Sequence, residues 1–315
     1  MAAALPFQPF SEAQFLQLGL KLRSNGNSSR WQTAKYMRQL ELFQSAYTVH
    51  PRALTNIWID LQTNPFEYNR IDASTKPEHL LLVYRWLSLY ETEKDLSQTY
   101  GFGEKSIRRW CKDLTQKIAA LRKIKIDPNW EDDDNVLLST TVDGIHYKID
   151  EPRPFSTLFK SHKEGTAGLS YEYALYTHKD KIAWVNGPYP AGLPDISIFR
   201  EKLLPAVEKK QTDRNNEFRV IADDGYTANN LLHAVSLRNE LDPKQVEYYK
   251  DRSLSRQEKL NGLTKCYKVL QMSFRHDRGN INHDFPRHKA VVEAICVTVQ
   301  VELDVGTKTL FDPWP

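Results

Sequence analysis

Asp223 lies at a position where a carboxylate without a partner would destabilise the fold. The apolar run at 218–222 predicts a short buried strand, and Asp223 follows it directly. Desolvating a charge destabilises a fold by several kcal/mol unless a cation or another partner offsets it, so an acid at this position suggests a site. The next two residues, Asp224 and Gly225, form an Asp-Gly pair. This pair is common in turns, so a plain turn remains the alternative.

Two further stretches carry acids that can join Asp223. Residues 136–149 predict another strand, which contains Asp143. Residues 253–270 predict a helix with Glu258 near its start. The two strands can lie side by side in one sheet, with the helix crossing it, and the three acids then come together.

Such a cluster predicts divalent metal ions. Three neighbouring carboxylates repel one another strongly and are tolerated mainly when cations neutralise them. Mg²⁺ prefers hard oxygen ligands and takes few of them from protein, which leaves positions for water and phosphate. Two such ions support phosphoryl transfer by activating the attacking oxygen and stabilising the leaving one.

The elements around these acids predict an α/β domain over residues 136–315. A hairpin is expected at 169–190 and a helix at 191–210, with Asp195 as its N-cap. After residue 222 the pattern predicts helices only. Residues 291–303 are rich in β-branched side chains, but their apolar positions follow helical spacing and favour a helix.

The first 128 residues predict an all-α region. Within about 78–125, two short helices joined by a glycine turn are typical of a helix-turn-helix, whose second helix reads DNA in the major groove. An ordinary helical bundle with a basic solvated face is the alternative. The side chains placed to contact DNA are Lys105, Ser106, Arg108, Arg109 and Lys112.

Charge separates the two regions. Residues 1–127 contain 18 Lys and Arg against 12 Asp and Glu, whereas the remainder contains 25 against 28. Residues 1–127 are therefore basic and the remainder is mildly acidic, with the acidic stretch 129–135 as the expected linker. No apolar run is long enough to span a bilayer, and three scattered cysteines are typical of a reduced intracellular protein.

Five motifs carry a resemblance to a known family. They are TVDGIHYKIDEP, SHKEGTAGLSYEYAL, IAWVNGPYPAGLPDISIFR, IADDGY and RQEKLNGLTKCYKVLQMSFRH. In this order they resemble the DDE superfamily endonuclease domain of PIF/Harbinger-like DNA transposases, above all the protist versions. The resemblance covers most of 136–310 and implies an RNase H-like fold, two Mg²⁺ or Mn²⁺ ions and double-stranded DNA as substrate.

Position by position, the resemblance assigns the catalytic and metal-binding acids to Asp143, Asp223 and Glu258. Asp223 matches in preference to Asp224, and 35 positions separate Asp223 from Glu258. The residues matching polar family positions, with an implied role in DNA-backbone contact or support, are His162, Lys163 and Arg256; Lys265 is added from the polar face of the same helix. Asp195 matches an acidic family position, with the helix cap as the alternative.

The resemblance implies a nuclear transposase that cleaves DNA at the ends of its element and joins the freed 3′-hydroxyl to a target. Holding two ends together implies at least a homodimer. The alternative is a domesticated DNA-binding protein without cleavage activity; an RNase H-type hydrolase is disfavoured by the DNA-reading pattern. His276, His283 and His288 lack companion cysteines, so a loop is expected there rather than a zinc site.

Overall fold

The computed structural model divides the chain into two compact units. It describes residues 9–24, 33–126, 138–154, 156–213, 219–226, 235–237, 244–275 and 285–310. The helical unit comprises 1–125, 265–271 and 290–308, and the α/β unit comprises 126–264, 272–289 and 309–315. The expected linker at 129–135 lies outside the described residues.

Capping residues set the ends of the helices in the helical unit. Ser11 precedes the first helix and accepts a hydrogen bond from the Gln14 amide, while the Gln14 side chain accepts one from the Ser11 amide, so a capping box begins this helix. Pro51 occupies the first turn of the third helix, where a missing N–H has no consequence. The helices are α1 Glu12–Arg23, α2 Tyr36–Tyr47, α3 Pro51–Thr63, α4 Pro77–Leu89, α5 Glu93–Tyr100, α6 Glu104–Ala120 and α7 Arg122–Lys125.

The predicted helix pair with its glycine turn is present as α5 and α6. Thr92 caps α5 by accepting from the Asp95 amide. Gly101 ends α5 with φ +70°, a left-handed conformation that suits glycine. The apolar side of α6 is buried at Ile107, Trp110 and Leu114, so its charged side remains outside.

Two C-terminal helices pack within the helical unit, which the predicted boundary of 136–315 did not anticipate. These are α10 Lys268–Gln271 and, from residue 290, α11 Pro286–Asp304. The Tyr84 hydroxyl lies 2.7 Å from Thr298 Oγ1 of α11, and both are buried. The helix expected at 291–303 is confirmed. No helix among the described residues is long and apolar enough to cross a bilayer.

The α/β unit contains a mixed sheet of five strands within the described residues. They are β1 Leu138–Lys148, β2 Gly168–Tyr176, β3 Ile182–Pro190, β4 Arg219–Ala222 and β5 Val235–Leu237. The spatial order is β3-β2-β1-β4-β5, with β1, β2 and β3 antiparallel and β4 and β5 parallel to β1. The α/β class and the β1–β4 neighbourhood are as predicted. β5 was missed because three residues are too few to establish alternation.

Two long helices complete this unit. Helix α8 Asp195–Asp213 packs Phe199 and Leu203 against Val142 of β1 and Val220 of β4. Helix α9 Lys244–Lys265 is fixed to the sheet by buried polar contacts. Those contacts are Thr141 Oγ1 to Gln257 Oε1 at 2.9 Å and Tyr147 Oη to Thr264 Oγ1 at 2.8 Å.

Candidate active site

The parallel pairing of β1 and β4 places Asp143 beside Asp223. Thr141 is the register partner of Ile221, and each aspartate lies two residues further along its strand direction. Asp223 is exposed, and its Oδ1 accepts a hydrogen bond from the Gly225 amide at 2.9 Å. The turn considered as the alternative for this stretch is therefore present, and this turn orients Asp223 beside Asp143.

Asp143 is partly buried and held by a side chain of α9. Burial raises the pKa of Asp143 above its ordinary value; the charge of Lys163 and a hydrogen bond from Asn261 lower it, and the charges of Asp223 and Asp195 raise it. The Asn261 amide donates to Asp143 Oδ2 over 2.7 Å. The site thus combines two neighbouring aspartates with a neutral donor that fixes one of them.

Glu258 lies one helical turn before Asn261 on α9, so the two residues share a side of the helix. Its side chain is exposed to solvent. Across the described ranges, no three His, Cys, Asp or Glu side chains converge as they stand on a point that could hold one metal ion. The structure therefore brings Asp143 and Asp223 together and places Glu258 nearby in the helix, with its carboxylate outside the cluster.

Asp195 reaches into this cluster from the start of α8. A Cβ built on Gly144 would lie 2.3 Å from Asp195 Oδ1, so the absence of a side chain at 144 makes room for the carboxylate. A Cβ on Gly225 would lie 3.0 Å from Asp223 Oδ1 and 3.7 Å from Asp195 Oδ2, so both acids border one point.

The expected N-cap role of Asp195 is wrong. The Pro194 carbonyl accepts from the Ser197 amide at 2.9 Å, which makes Pro194 the cap and Asp195 the first helical residue. The Asp195 Oδ2 atom instead accepts from Lys163 Nζ at 3.2 Å. Sequence reasoning weighed Asp195 as a cap because an acid before a helix has that common explanation.

Glu172 is a further acid that the sequence did not single out. It lies on β2 opposite Gly144 and is 1% exposed. Burial raises its pKa to about 8, and the charge of Asp195 adds to this. The Trp184 indole lowers the pKa but completes no hydrogen bond of ordinary geometry. Alternation along an apolar strand gave no signal that this acid faces inward.

The family comparison agrees with this geometry. The sequence profile of the family described as DDE superfamily endonuclease matches residues 142–300, more than half of the chain. The chain belongs to this family. Its α/β unit accordingly has the RNase H-like fold. No curated protein matches the chain.

One solved structure overlaps with most of the chain. The crystal structure of a pre-cleavage Mos1 transpososome aligns with 97% of this chain and 100% of that chain, at 9% identity and a TM-score of 0.27. A TM-score of this size carries no argument about fold or function.

The basic face of α6 is open to solvent. Lys105, Arg109 and Lys112 are exposed, and Ser106 is partly buried. Arg109 stacks over the Trp110 ring at 4.7 Å, and Arg108 Nε donates to Glu93 Oε1 at 2.9 Å.

The other predicted DNA contacts divide into three cases. His162 and Lys163 are exposed. Lys265 is the last residue of α9 and groups with the helical unit. Arg256 is only 8% exposed, which favours the support role over the DNA-backbone contact that the resemblance also allowed. Its guanidinium donates to main-chain carbonyls of the β2–β3 turn and pairs with Asp180 at 3.2 Å.

The histidines considered for zinc are only partly described. His288 is buried, and its Nδ1 lies 2.8 Å from the Tyr171 hydroxyl. His276 and His283 lie outside the described residues.

Proposed function

We propose that this DDE endonuclease is a DNA transposase of the PIF/Harbinger-like, protist type. It hydrolyses a phosphodiester at each end of a mobile element and then joins the freed 3′-hydroxyl to target DNA. The observation that carries the proposal is the juxtaposition of Asp143 on β1 with Asp223, which directly follows the parallel strand β4 of an RNase H-like sheet. The family match over residues 142–300 supports it.

The donor set at this site fits Mg²⁺ or Mn²⁺. Mg²⁺ is commonly held by one or two carboxylates together with water and substrate phosphates, and Asp143 and Asp223 supply two carboxylates next to each other. Asp143 and Asp223 would hold the ions, and Glu258, whose exposed side chain lies one helical turn from Asn261, would join them as a third ligand. When bound, the two ions activate the attacking oxygen and stabilise the leaving oxygen.

The remaining side chains orient the acids and the DNA. Asn261 fixes one oxygen of Asp143 and leaves the other for a ligand. Lys163 contributes a positive charge beside Asp143, which offsets the mutual repulsion of the aspartates. His162 is exposed on the same segment and can contact the DNA backbone.

The basic face of α6 is the proposed DNA-reading surface. Lys105, Arg109 and Lys112 are exposed on the second helix of a helix-turn-helix arrangement, which is the helix that enters the major groove in such domains. Arg108 and Ser106 flank this face and contact phosphates. Double-stranded DNA at the element's ends is therefore the proposed partner.

Assembly and location follow from the proposed reaction. Two ends must be held together for coupled cleavage and joining, so the active form is a homodimer or a larger oligomer. We also propose a nuclear location, which a chromosomal DNA substrate and the resemblance to eukaryotic transposases support.

A domesticated DNA-binding protein without cleavage activity is the second candidate. The exposed position of Glu258, outside the aspartate cluster, favours it. In that case the helical unit binds DNA, and the acids of the α/β unit have no catalytic task.

An end-cleavage assay separates the two candidates. Labelled duplexes carrying the sequences that flank the coding region are incubated with the protein and Mg²⁺, Mn²⁺ or EDTA, and scrambled duplexes serve as controls. The transposase predicts metal-dependent cuts at the repeat boundary that leave 3′-hydroxyl ends. Specific binding without cleavage in either metal would establish the domesticated protein instead.

A further inference from the structure

Lys163 reaches the aspartate cluster with its ammonium group fixed by two acceptors. Its Nζ donates to the Gly144 carbonyl at 2.8 Å and to Asp195 Oδ2 at 3.2 Å. Gly144 directly follows Asp143, so the cation is held next to the first acid of the site.

The Lys163 ammonium retains one donor. An ammonium group has three N–H donors, and two of them serve the Gly144 carbonyl and Asp195. In the part of the chain that the structure describes, no third acceptor contacts this group. The side chain is 47% exposed, so the remaining donor is accessible to an incoming ligand. A lysine acting as a point charge is a common binder of phosphate oxygens.

The Asp195 carboxylate lies unusually close to the proposed DNA site for an acidic side chain. Its side chain is only 13% exposed, and it occupies space that a side chain on Gly144 would fill. A carboxylate close to DNA repels phosphate, which weakens binding unless the carboxylate has a compensating task. The ion pair with Lys163 supplies that task.

We infer that Asp195 is a positioning residue, which holds Lys163 so that its third N–H binds a DNA phosphate oxygen beside Asp143 and Asp223. The inference deepens the proposed function and rests on it, because its ligand is a phosphate of the DNA at that site. It distinguishes Lys163 from a general backbone contact and gives Asp195 a role separate from metal binding.

The test measures DNA affinity without divalent cations, since the ion pair forms in the metal-free chain. Fluorescence anisotropy with a labelled duplex compares the full chain with Lys163→Met, Asp195→Ala and the double variant over a range of salt. Lys163→Met should weaken binding several-fold and reduce the salt slope by about 1. The matched control is Lys209→Met, which removes an exposed lysine of α8 near the opposite end from Asp195 and should have a smaller effect.

The sign of the Asp195→Ala effect is decisive. Removing a negative charge that merely lies near DNA strengthens binding, whereas removing the residue that positions Lys163 weakens it. The double variant should bind no more weakly than Lys163→Met alone, because the two residues act as one unit. Equal or tighter binding by Asp195→Ala, or fully additive losses, would overturn the inference.

A second variant guards against a folding defect. Asp195→Asn retains an acceptor for Lys163 and should recover part of the affinity that Asp195→Ala loses. Circular dichroism and thermal melting identify a misfolded variant. If Asp195→Ala is misfolded, Asp195→Asn replaces it in the test: weaker DNA binding than the wild type supports the inference, and equal or tighter binding overturns it. If DNA affinity responds as stated but the wild type cleaves no DNA, the positioning role stands and the proposed catalysis fails.

Discussion

Asn261 Nδ2 donates a hydrogen bond to Asp143 Oδ2 over 2.7 Å, and this contact joins α9 to the acid on β1. Asn261 carries no charge, so it orients Asp143 without competing for a cation. An orienting partner of this kind fixes a ligand before the metal binds.

Replacing Asn261 by alanine should weaken the metal dependence of cleavage. Partners that orient a metal ligand typically contribute about 10–100-fold in metal affinity or activity. The Mg²⁺ concentration for half-maximal cleavage should rise by that order in Asn261→Ala. Lys259→Ala, an exposed change on the same helix, is the control. An unchanged Mg²⁺ dependence would show that Asn261 does not organise the site.

Glu258→Gln should separate activity from stability. Glu258 is exposed, so its replacement should change the free energy of unfolding by no more than about 0.5 kcal/mol. Loss of a ligand that completes a catalytic ion's shell should reduce cleavage by about 10²–10³-fold. Asp251→Asn, another exposed acid of α9, is the matched control in both measurements. Full cleavage by Glu258→Gln would exclude Glu258 as the third ligand.

Arg256→Met should act on stability rather than on DNA contact. The buried guanidinium donates to the carbonyls of Tyr176 and Lys179 and pairs with Asp180, so its removal leaves buried acceptors and a charge without their partner. We expect a loss on the order of 3 kcal/mol in urea denaturation. The salt slope of DNA binding by folded protein should remain that of the wild type. A salt slope reduced by about 1 in Arg256→Met would instead support a contact between Arg256 and the DNA backbone.

Glu172 should make the stability of the α/β unit depend on pH. Its pKa is about 8 in the folded protein and 4.5 ordinarily, so the folded state holds a proton that the unfolded state has released between these values. The stabilisation is complete below pH 4.5 and is lost as the pH rises through about 8. Glu172→Gln should therefore gain on the order of 1–3 kcal/mol relative to the wild type across this window. If the melting temperatures of the wild type and of Glu172→Gln changed with pH in the same way, this assignment would be contradicted.

The predictions that succeeded depended on local rules. Gly101 acts within one turn of chain, so the glycine turn that joins α5 to α6 could be predicted from the residues alone. The pairing of β1 with β4 joins distant residues, and the sequence offered it only as an arrangement that would bring Asp143 and Asp223 together.

What failed depended on contacts between distant residues. For Arg256 the sequence left DNA contact and support open, because nothing near it indicates that its partners are the carbonyls of the β2–β3 turn. Asp195 resembles a helix cap until Gly144 and Lys163 are brought against it. The return of α11 to the helical unit likewise depends on long-range packing. Local pattern carries no information about these contacts.

The most direct test of the account is metal-dependent cleavage of DNA carrying the flanking repeats by wild type, Asp143→Asn and Asp223→Asn. Asp213→Asn, an exposed acid at the far end of α8, controls for the loss of one charge. The account predicts that both site variants retain DNA binding and lose cleavage by about 10²–10³-fold or more, while Asp213→Asn cleaves like the wild type. Undiminished cleavage by either site variant would contradict the assignment of Asp143 and Asp223 as the catalytic pair.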